Sequence, residues 1–287
     1  MRPAADGVVE AAPAKINLYL HVVGRRPDGY HLLDSLVGFA ELGDEIRATT
    51  ADEVTLALDG RFAPALTAGD DNLVLRAART VAATGRGAAL TLVKNLPVAA
   101  GLGGGSADAA ATLRALKGLW QAPIDEARLR EIAPRLGADV PVCLDGRAAF
   151  IGGIGEDIAP APRLPQAGLV LVNPGKPLPT AQVFAAFRGP FSRQARFMTV
   201  PRDAAHLAAL LRAGGNDLTA AAQSLVPEIG DALAALAASP GCLLARMSGS
   251  GATCFGLYDD RVAAQRVVGR IAARAKDWWV VATALRT

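Results

Sequence analysis

Hydrophobic positions along the chain follow two periods. Near the start, Ile16, Leu18, Leu20 and Val22 alternate with Lys15, Asn17, Tyr19 and His21, the period of two that marks a strand. The pattern predicts a strand over residues 8–23, interrupted at Pro13, with Lys15 and Asn17 on one face. Turn chemistry at Pro27-Asp28-Gly29 makes residues 24–35 a loop. Apolar runs at 39–46 and 54–58 predict further strands, so the first part of the chain is β-rich. Asn72 stands where it would cap an amphipathic helix over 73–81. Residues 89–93 then read as a strand, and Leu113, Leu116 and Leu119 carry the spacing of a buried helix. Another helical pattern runs from Ile124 to Leu136 and ends before Asp139, which stands at a helix start. Residues 148–151 and 154–156 are the arms of an expected hairpin closing a first domain, and the proline-rich run 160–165 reads as a linker.

The second half opens on a strand at 168–174, then a helix over 178–187 with Thr180 as its expected cap. Residues 189–199 read as a loop. Helices follow at 204–211 and 218–236, the latter broken at Val226-Pro227-Glu228. Residues 243–258 read as two strands around a second glycine/serine loop, and a helix (261–275) and a strand (278–283) finish the chain. The whole predicts an α/β protein of two domains, 1–159 and 160–287.

One stretch interrupts these periods with chemistry: Pro97-Val98-Ala99-Ala100-Gly101-Leu102-Gly103-Gly104-Gly105-Ser106-Ala107. A strand, a glycine-rich turn and a helix start together make an anion site. Glycines let backbone N–H groups approach a phosphate, and the helix N-terminus adds unpaired donors and a positive dipole end. Ser106 is placed to cap the helix or to bond a phosphate oxygen. The loop lacks the lysine of a Walker A motif, and a dinucleotide fingerprint would want glycine at Ser106. A tight turn closing a strand–helix corner is the bland alternative.

Composition removes several classes. Apolar residues make up 51% of the 287, which excludes disorder, and no apolar run approaches the roughly 20 residues of a spanning helix. Residues 1–6 lack a hydrophobic signal core, so a cytoplasmic protein is expected. Thirty basic and 27 acidic residues leave a net charge of +3, and no basic, aromatic-interleaved patch suggests nucleic acid. Cys143, Cys242 and Cys254 lack metal-type spacing and read as buried free thiols, with no metal site.

Single residues stay open at this level. Lys15 is a solvated strand lysine or a functional one, His21 a structural histidine, and Asp139 an N-cap. Tyr30 and His31 leave the Pro-Asp-Gly turn together. One ring for stacking and one for edge hydrogen bonds suit a planar heterocycle, and an ordinary surface pair explains them equally.

Three separated stretches agree on a family. Residues 12–18, 97–110 and 247–255 resemble motifs one, two and three of the GHMP kinases, in order and spacing over nearly the whole chain. Within that superfamily, Arg26-Pro27-Asp28-Gly29-Tyr30-His31, Gly137-Ala138-Asp139-Val140-Pro141 and Asn216-Asp217-Leu218 look like the 4-diphosphocytidyl-2-C-methyl-D-erythritol kinases. The loop departs slightly, with Ala107 where relatives often carry serine and Ala99-Ala100 where some have glycine. The resemblance implies an N-terminal domain like ribosomal S5 domain 2, a ferredoxin-like C-terminal domain, and an active site between them. It implies ATP-dependent phosphorylation of a methylerythritol hydroxyl, with ATP and Mg²⁺ required, in the non-mevalonate isoprenoid pathway. Lys15 and Asp139 match the catalytic pair, Asn17 and Thr180 substrate contacts, Tyr30 and Phe184 the aromatic pair on cytosine, and His31 the reader of its edge. Residues 97–107 match the ATP phosphate loop, with Asn72 and Lys94 as further nucleotide candidates. Expected partners are ATP and a cytidine-diphosphate-linked polyol, with neither nucleic acid nor membrane, in a monomer or weak homodimer. Another GHMP-type kinase, an ATP-dependent decarboxylase and a silent small-molecule binder are the alternatives.

Overall fold

The computed structural model describes residues 7–82, 86–121 and 125–287. It divides into two compact units, each built from non-contiguous segments. The first comprises the chain up to Ala14, Gly43–Val98 and Gly103–Gly146; the second comprises Lys15–Leu42, Ala99–Leu102 and Arg147–Thr287. Two long strands, β1 (Gly7–Arg25) and β2 (His31–Ala51), give residues to both.

In the first unit, β4 (Gly87–Val93) pairs antiparallel with the end of β2, Ile46 opposite Leu92, and parallel with β3 (Val54–Asp59), Leu56 opposite Leu90. Parallel neighbours need a crossover, and α1 (Leu73–Val81) supplies it. Asn72 caps α1 as its position predicts, Oδ1 accepting from Val74 N at 2.9 Å. Three more helices, α2 (Gly104–Trp120), α3 (Glu126–Leu136) and α4 (Val140–Asp145), pack with one another, and α2 and α3 also pack on α1. The expected start of α3 at Ile124 lies outside the described residues, as do residues 1–6. Alanines at 107, 109, 110 and 111 bury the first turns of α2 with little side-chain bulk. That closeness seats a charged cluster beneath the helix start. Lys94 Nζ donates to Asp44 Oδ2 at 2.6 Å and to Asp108 Oδ2 at 2.7 Å, all three groups being nearly solvent-free. Asp44 Oδ1 also accepts from the backbone N–H groups of Asn95 and Leu96, whereas Asp108 Oδ1 has no hydrogen-bond partner among the described residues.

In the second unit, β7 (Gly168–Asn173), β8 (Leu244–Met247), β9 (Cys254–Tyr258) and β10 (Trp279–Ala284) form an antiparallel sheet in the order β10-β7-β9-β8. All six residues of β7 are buried. Around this sheet pack α5 (Thr180–Ala186), α6 (Ala204–Leu211), α7 (Thr219–Leu225), α8 (Glu228–Ala237) and α9 (Arg261–Ala272). Val172, Val183, Leu218, Ile229, Met247 and Tyr258 are members of its core.

Several expectations change on contact with tertiary structure. The alternation in β1 promised one solvated face, yet its residues from Lys15 to Val22 are all buried. The polar side is covered by later chain: His21 Nε2 accepts from Gly215 N at 3.0 Å, and its Nδ1 donates to Arg193 O at 2.8 Å. The loop expected over 24–35 shrinks to residues 26–30, because Leu33–Val37 pair with β5 (Ala149–Gly153). The hairpin forms, but 154–156 are its turn and the second arm is β6 (Asp157–Pro160). Thr180 is not a cap: Pro179 holds that position, and the threonine hydroxyl bonds Ser250 Oγ at 2.8 Å. Nor does Ser106 cap α2, since Gly103, in the left-handed region, precedes a helix starting at Gly104. Cys143 and Cys254 are buried and Cys242 is half-buried. Among the described residues, no helix is long and apolar enough to cross a membrane.

Candidate active site

Within the second unit, β1 brings Lys15 and Asn17 side by side by its two-residue period. Lys15 Nζ donates to Asn17 Oδ1 at 2.9 Å, with both residues about 5% exposed or less. Two later segments hold this pair. The Lys15 amide donates to Leu102 O at 2.9 Å, so the strand is bonded directly to the glycine loop. Ser248 ties the same elements from the other side: Oγ accepts from Asn17 N at 3.0 Å and donates to Gly101 O at 2.9 Å. Gly101 has φ +73° and could carry no side chain, since a Cβ there would stand 2.3 Å from Ser248 O. Asn216 Nδ2 bonds Met247 O and Gly249 O, each at 2.8 Å, while Asp217 Oδ2 accepts from Val22 N at 2.8 Å. Within the second unit, Gly101-Leu102, Met247-Ser248-Gly249 and Asn216-Asp217 therefore form one hydrogen-bonded assembly with the strand that carries Lys15 and Asn17.

The aromatic candidates line a pocket of about 1100 Å³ in the same unit, together with Thr180. The Arg26–Tyr30 turn is closed by Arg26 N donating to Tyr30 O at 2.7 Å, which sets where β2 begins. His31 stacks on Phe184, ring centroids 5.3 Å apart and 26° between planes, and meets Phe187 edge-on at 5.7 Å. Tyr30 keeps its ring 62% exposed, free to take a flat partner. Phe187, one turn after Phe184, and two cations, Arg25 and Arg188, also line the pocket and were not singled out in the sequence. Spacing i, i+3 from Phe184 was the available signal for Phe187; neither arginine carries one. Burial lowers the His31 pKa, and the Arg25 charge lowers it further, so the ring is neutral at neutral pH. A neutral imidazole offers one donor and one acceptor to a base edge.

The first unit carries the other candidates. Pro97 and Val98 lead into the loop, and Gly103–Ala107 follow it as the start of α2. Gly103, at the N-cap of α2, has no side chain to bond the first-turn N–H groups, which leaves them for a phosphate. Asp139 occupies the N-cap position of α4 without making a side-chain cap bond, so the bland use of this carboxylate is absent. Ser106 lies close to the same turn, a Cβ on Gly137 falling 3.8 Å from its Oγ. Lys94 presents no ammonium at the surface; it is held by Asp44 and Asp108 beneath Gly104. Asn72 uses Nδ2 on Thr67 O at 2.9 Å and Oδ1 on the cap of α1. Among the described residues, no three His, Cys, Asp or Glu side chains group as a metal cage.

Two family models match the chain, GHMP kinases N terminal domain over residues 72–147 and GHMP kinases C terminal over residues 199–277. Proteins named 4-diphosphocytidyl-2-C-methyl-D-erythritol kinase from Rhodospirillum rubrum and Cereibacter sphaeroides are 51% and 54% identical to it. Those matches cover 99% and 94% of this chain and 94% and 96% of the relatives. A crystal structure of 4-(cytidine 5'-diphospho)-2C-methyl-D-erythritol kinase is 35% identical, with a TM-score of 0.80 over 98% of this chain and 100% of that one. With both halves matched by the family models and its length matched by such relatives, the chain belongs to the GHMP kinase family.

Proposed function

We propose that the chain transfers the γ-phosphoryl group of ATP to a hydroxyl of 4-diphosphocytidyl-2-C-methyl-D-erythritol, giving the 2-phosphate on the non-mevalonate route to isoprenoid precursors. The observation that carries the substrate is the aromatic pocket of Tyr30, His31 and Phe184, which suits a cytosine ring and which a decarboxylase acting on a base-free substrate would not need. It agrees with the names of relatives that are half identical over nearly the full chain.

Phosphoryl transfer has a loose transition state, so positioning and charge neutralisation supply most of the catalysis. In this reading Asp139 takes the proton of the attacking hydroxyl, whose oxygen forms the new bond to the γ-phosphorus as the bond to ADP breaks. Lys15 stabilises the charge that develops on the transferring group. Asn17 and Thr180 contact the substrate, and the loop Pro97–Ala107 cradles the ATP phosphates with its backbone N–H groups. Mg²⁺ enters as part of the nucleotide, since this ion keeps several waters and binds phosphates readily.

A coupled ADP-release assay tests the reading. The cytidine diphosphate substrate should be turned over while free methylerythritol and mevalonate are not. Turnover of mevalonate with none of the cytidine substrate would overturn it.

A further inference from the structure

The hydrogen bonds running inward from Lys15 have a fixed direction. Ser35, on β2, is 1% exposed, and its hydroxyl donates to the Tyr19 carbonyl at 2.5 Å. A carbonyl only accepts, so the single Ser35 proton is committed there. Ser35 Oγ can therefore only accept from Asn17, which turns Nδ2 toward it at 2.8 Å. The far end of the same amide is then Oδ1, and it faces Lys15 Nζ at 2.9 Å. An ammonium only donates, so the chain reads the same from either end: Lys15 to Asn17 to Ser35 to the Tyr19 carbonyl. Asn17 cannot swing as a whole, because its own N–H is held by Ser248.

We infer that Ser35 is a positioning residue for phosphoryl transfer: by fixing which end of the Asn17 amide faces Lys15, it places the Lys15 ammonium. The inference rests on Lys15 acting in the reaction, as proposed above. Without the Ser35 hydroxyl, the Asn17 NH₂ group loses its buried acceptor, so the amide is no longer clamped at its inner end and its Oδ1 no longer holds the ammonium in one place. Lys15 would then leave its working place while the nucleotide loop and the aromatic pocket stayed intact.

Steady-state kinetics on the full chain separate this role from mere packing. Ser35→Ala should lower kcat by about 10- to 100-fold, the scale of a catalytic group displaced by roughly 1 Å. The KM values for ATP and for the cytidine substrate should move by less than about threefold. The loss should vanish in an Asn17→Ala background, because the two residues act through one amide, and Ser35→Thr, which keeps the hydroxyl, should restore kcat. If the alanine variant does not fold, Ser35→Cys keeps the side-chain volume with a far weaker bonding group, and the same split is expected. Lys15→Met is the control. If it abolishes turnover while Ser35→Ala retains normal kcat, the inference is wrong and the role of Lys15 stands. Additive losses in the double variant, with both KM values raised, would make Ser35 a packing residue and overturn the inference. Normal turnover in Lys15→Met would remove the proposed role of Lys15 and the inference with it.

Discussion

Tyr30 and Phe184 illustrate how much a single ring is worth. Stacking on a base contributes about 1–3 kcal/mol per ring, as judged by alanine substitution in nucleic-acid sites. Tyr30→Ala or Phe184→Ala should then raise the KM for the cytidine substrate by roughly 5- to 150-fold, with the ATP KM nearly constant. An effect on ATP instead would mean that the pocket holds the other nucleotide. His31 adds a pH dependence. Its pKa lies below the ordinary histidine value because burial, and secondarily Arg25, disfavour the cation. The neutral form therefore persists above about pH 6.5, and the substrate KM should rise only on acidification below it. Arg25→Gln should shift that rise to higher pH without restoring the full ordinary value, since burial remains; an unshifted profile would exclude Arg25 as a cause. For chemistry, Asp139→Asn keeps the shape and removes the charge. A kcat fall of about 10²-fold or more is expected, with the ATP KM little changed, and a near-normal kcat would return Asp139 to a structural part.

At the scale of elements, α2 shows what the chain's pattern discloses and what it hides. The glycine run and the leucine spacing announce a strand–turn–helix cradle, and β4 and α2 form there. What lies beneath the helix start could not be read, because Asp44, Lys94 and Asp108 come from separated segments with no periodic signature. Two carboxylates share one buried ammonium, and burial, with Asp44 as the secondary cause, pushes the Asp108 pKa up. Lys94→Met would strand both carboxylates, and breaking a buried pair this way costs about 3–5 kcal/mol. Urea denaturation at neutral pH should show that loss. The loss should shrink as pH falls, because an acid whose folded pKa lies above its unfolded value stabilises the fold increasingly on acidification. A loss under about 0.5 kcal/mol, the range of ordinary surface changes, would show that the cluster does not hold the helix start. The strand β1 teaches the complementary lesson. Its alternation was legible, but not the burial of its polar face, which depends on Arg193 and Gly215 far along the chain. Ser35 escaped notice for the same reason: a lone serine in an apolar stretch has no pattern until β1 lies beside it.

For the molecule as a whole, the family was legible because its chemistry is concentrated in short motifs, and within the second unit Gly101, Leu102 and Ser248 from two of them are bonded to Lys15, Asn17 and one another. The arrangement of the compact units was less so. Pattern reading works on contiguous stretches, whereas packing draws each unit from three segments and threads β1 and β2 through both. The reaction has one decisive covalent outcome, which phosphorus NMR of a reaction mixture reads directly. With MgATP and 4-diphosphocytidyl-2-C-methyl-D-erythritol, one new phosphomonoester signal should grow in step with ADP, while the cytidyl diphosphate signals persist. ADP formed without a phosphomonoester, or with loss of the cytidyl diphosphate bridge, would contradict the assignment of this chain as a kinase for that alcohol.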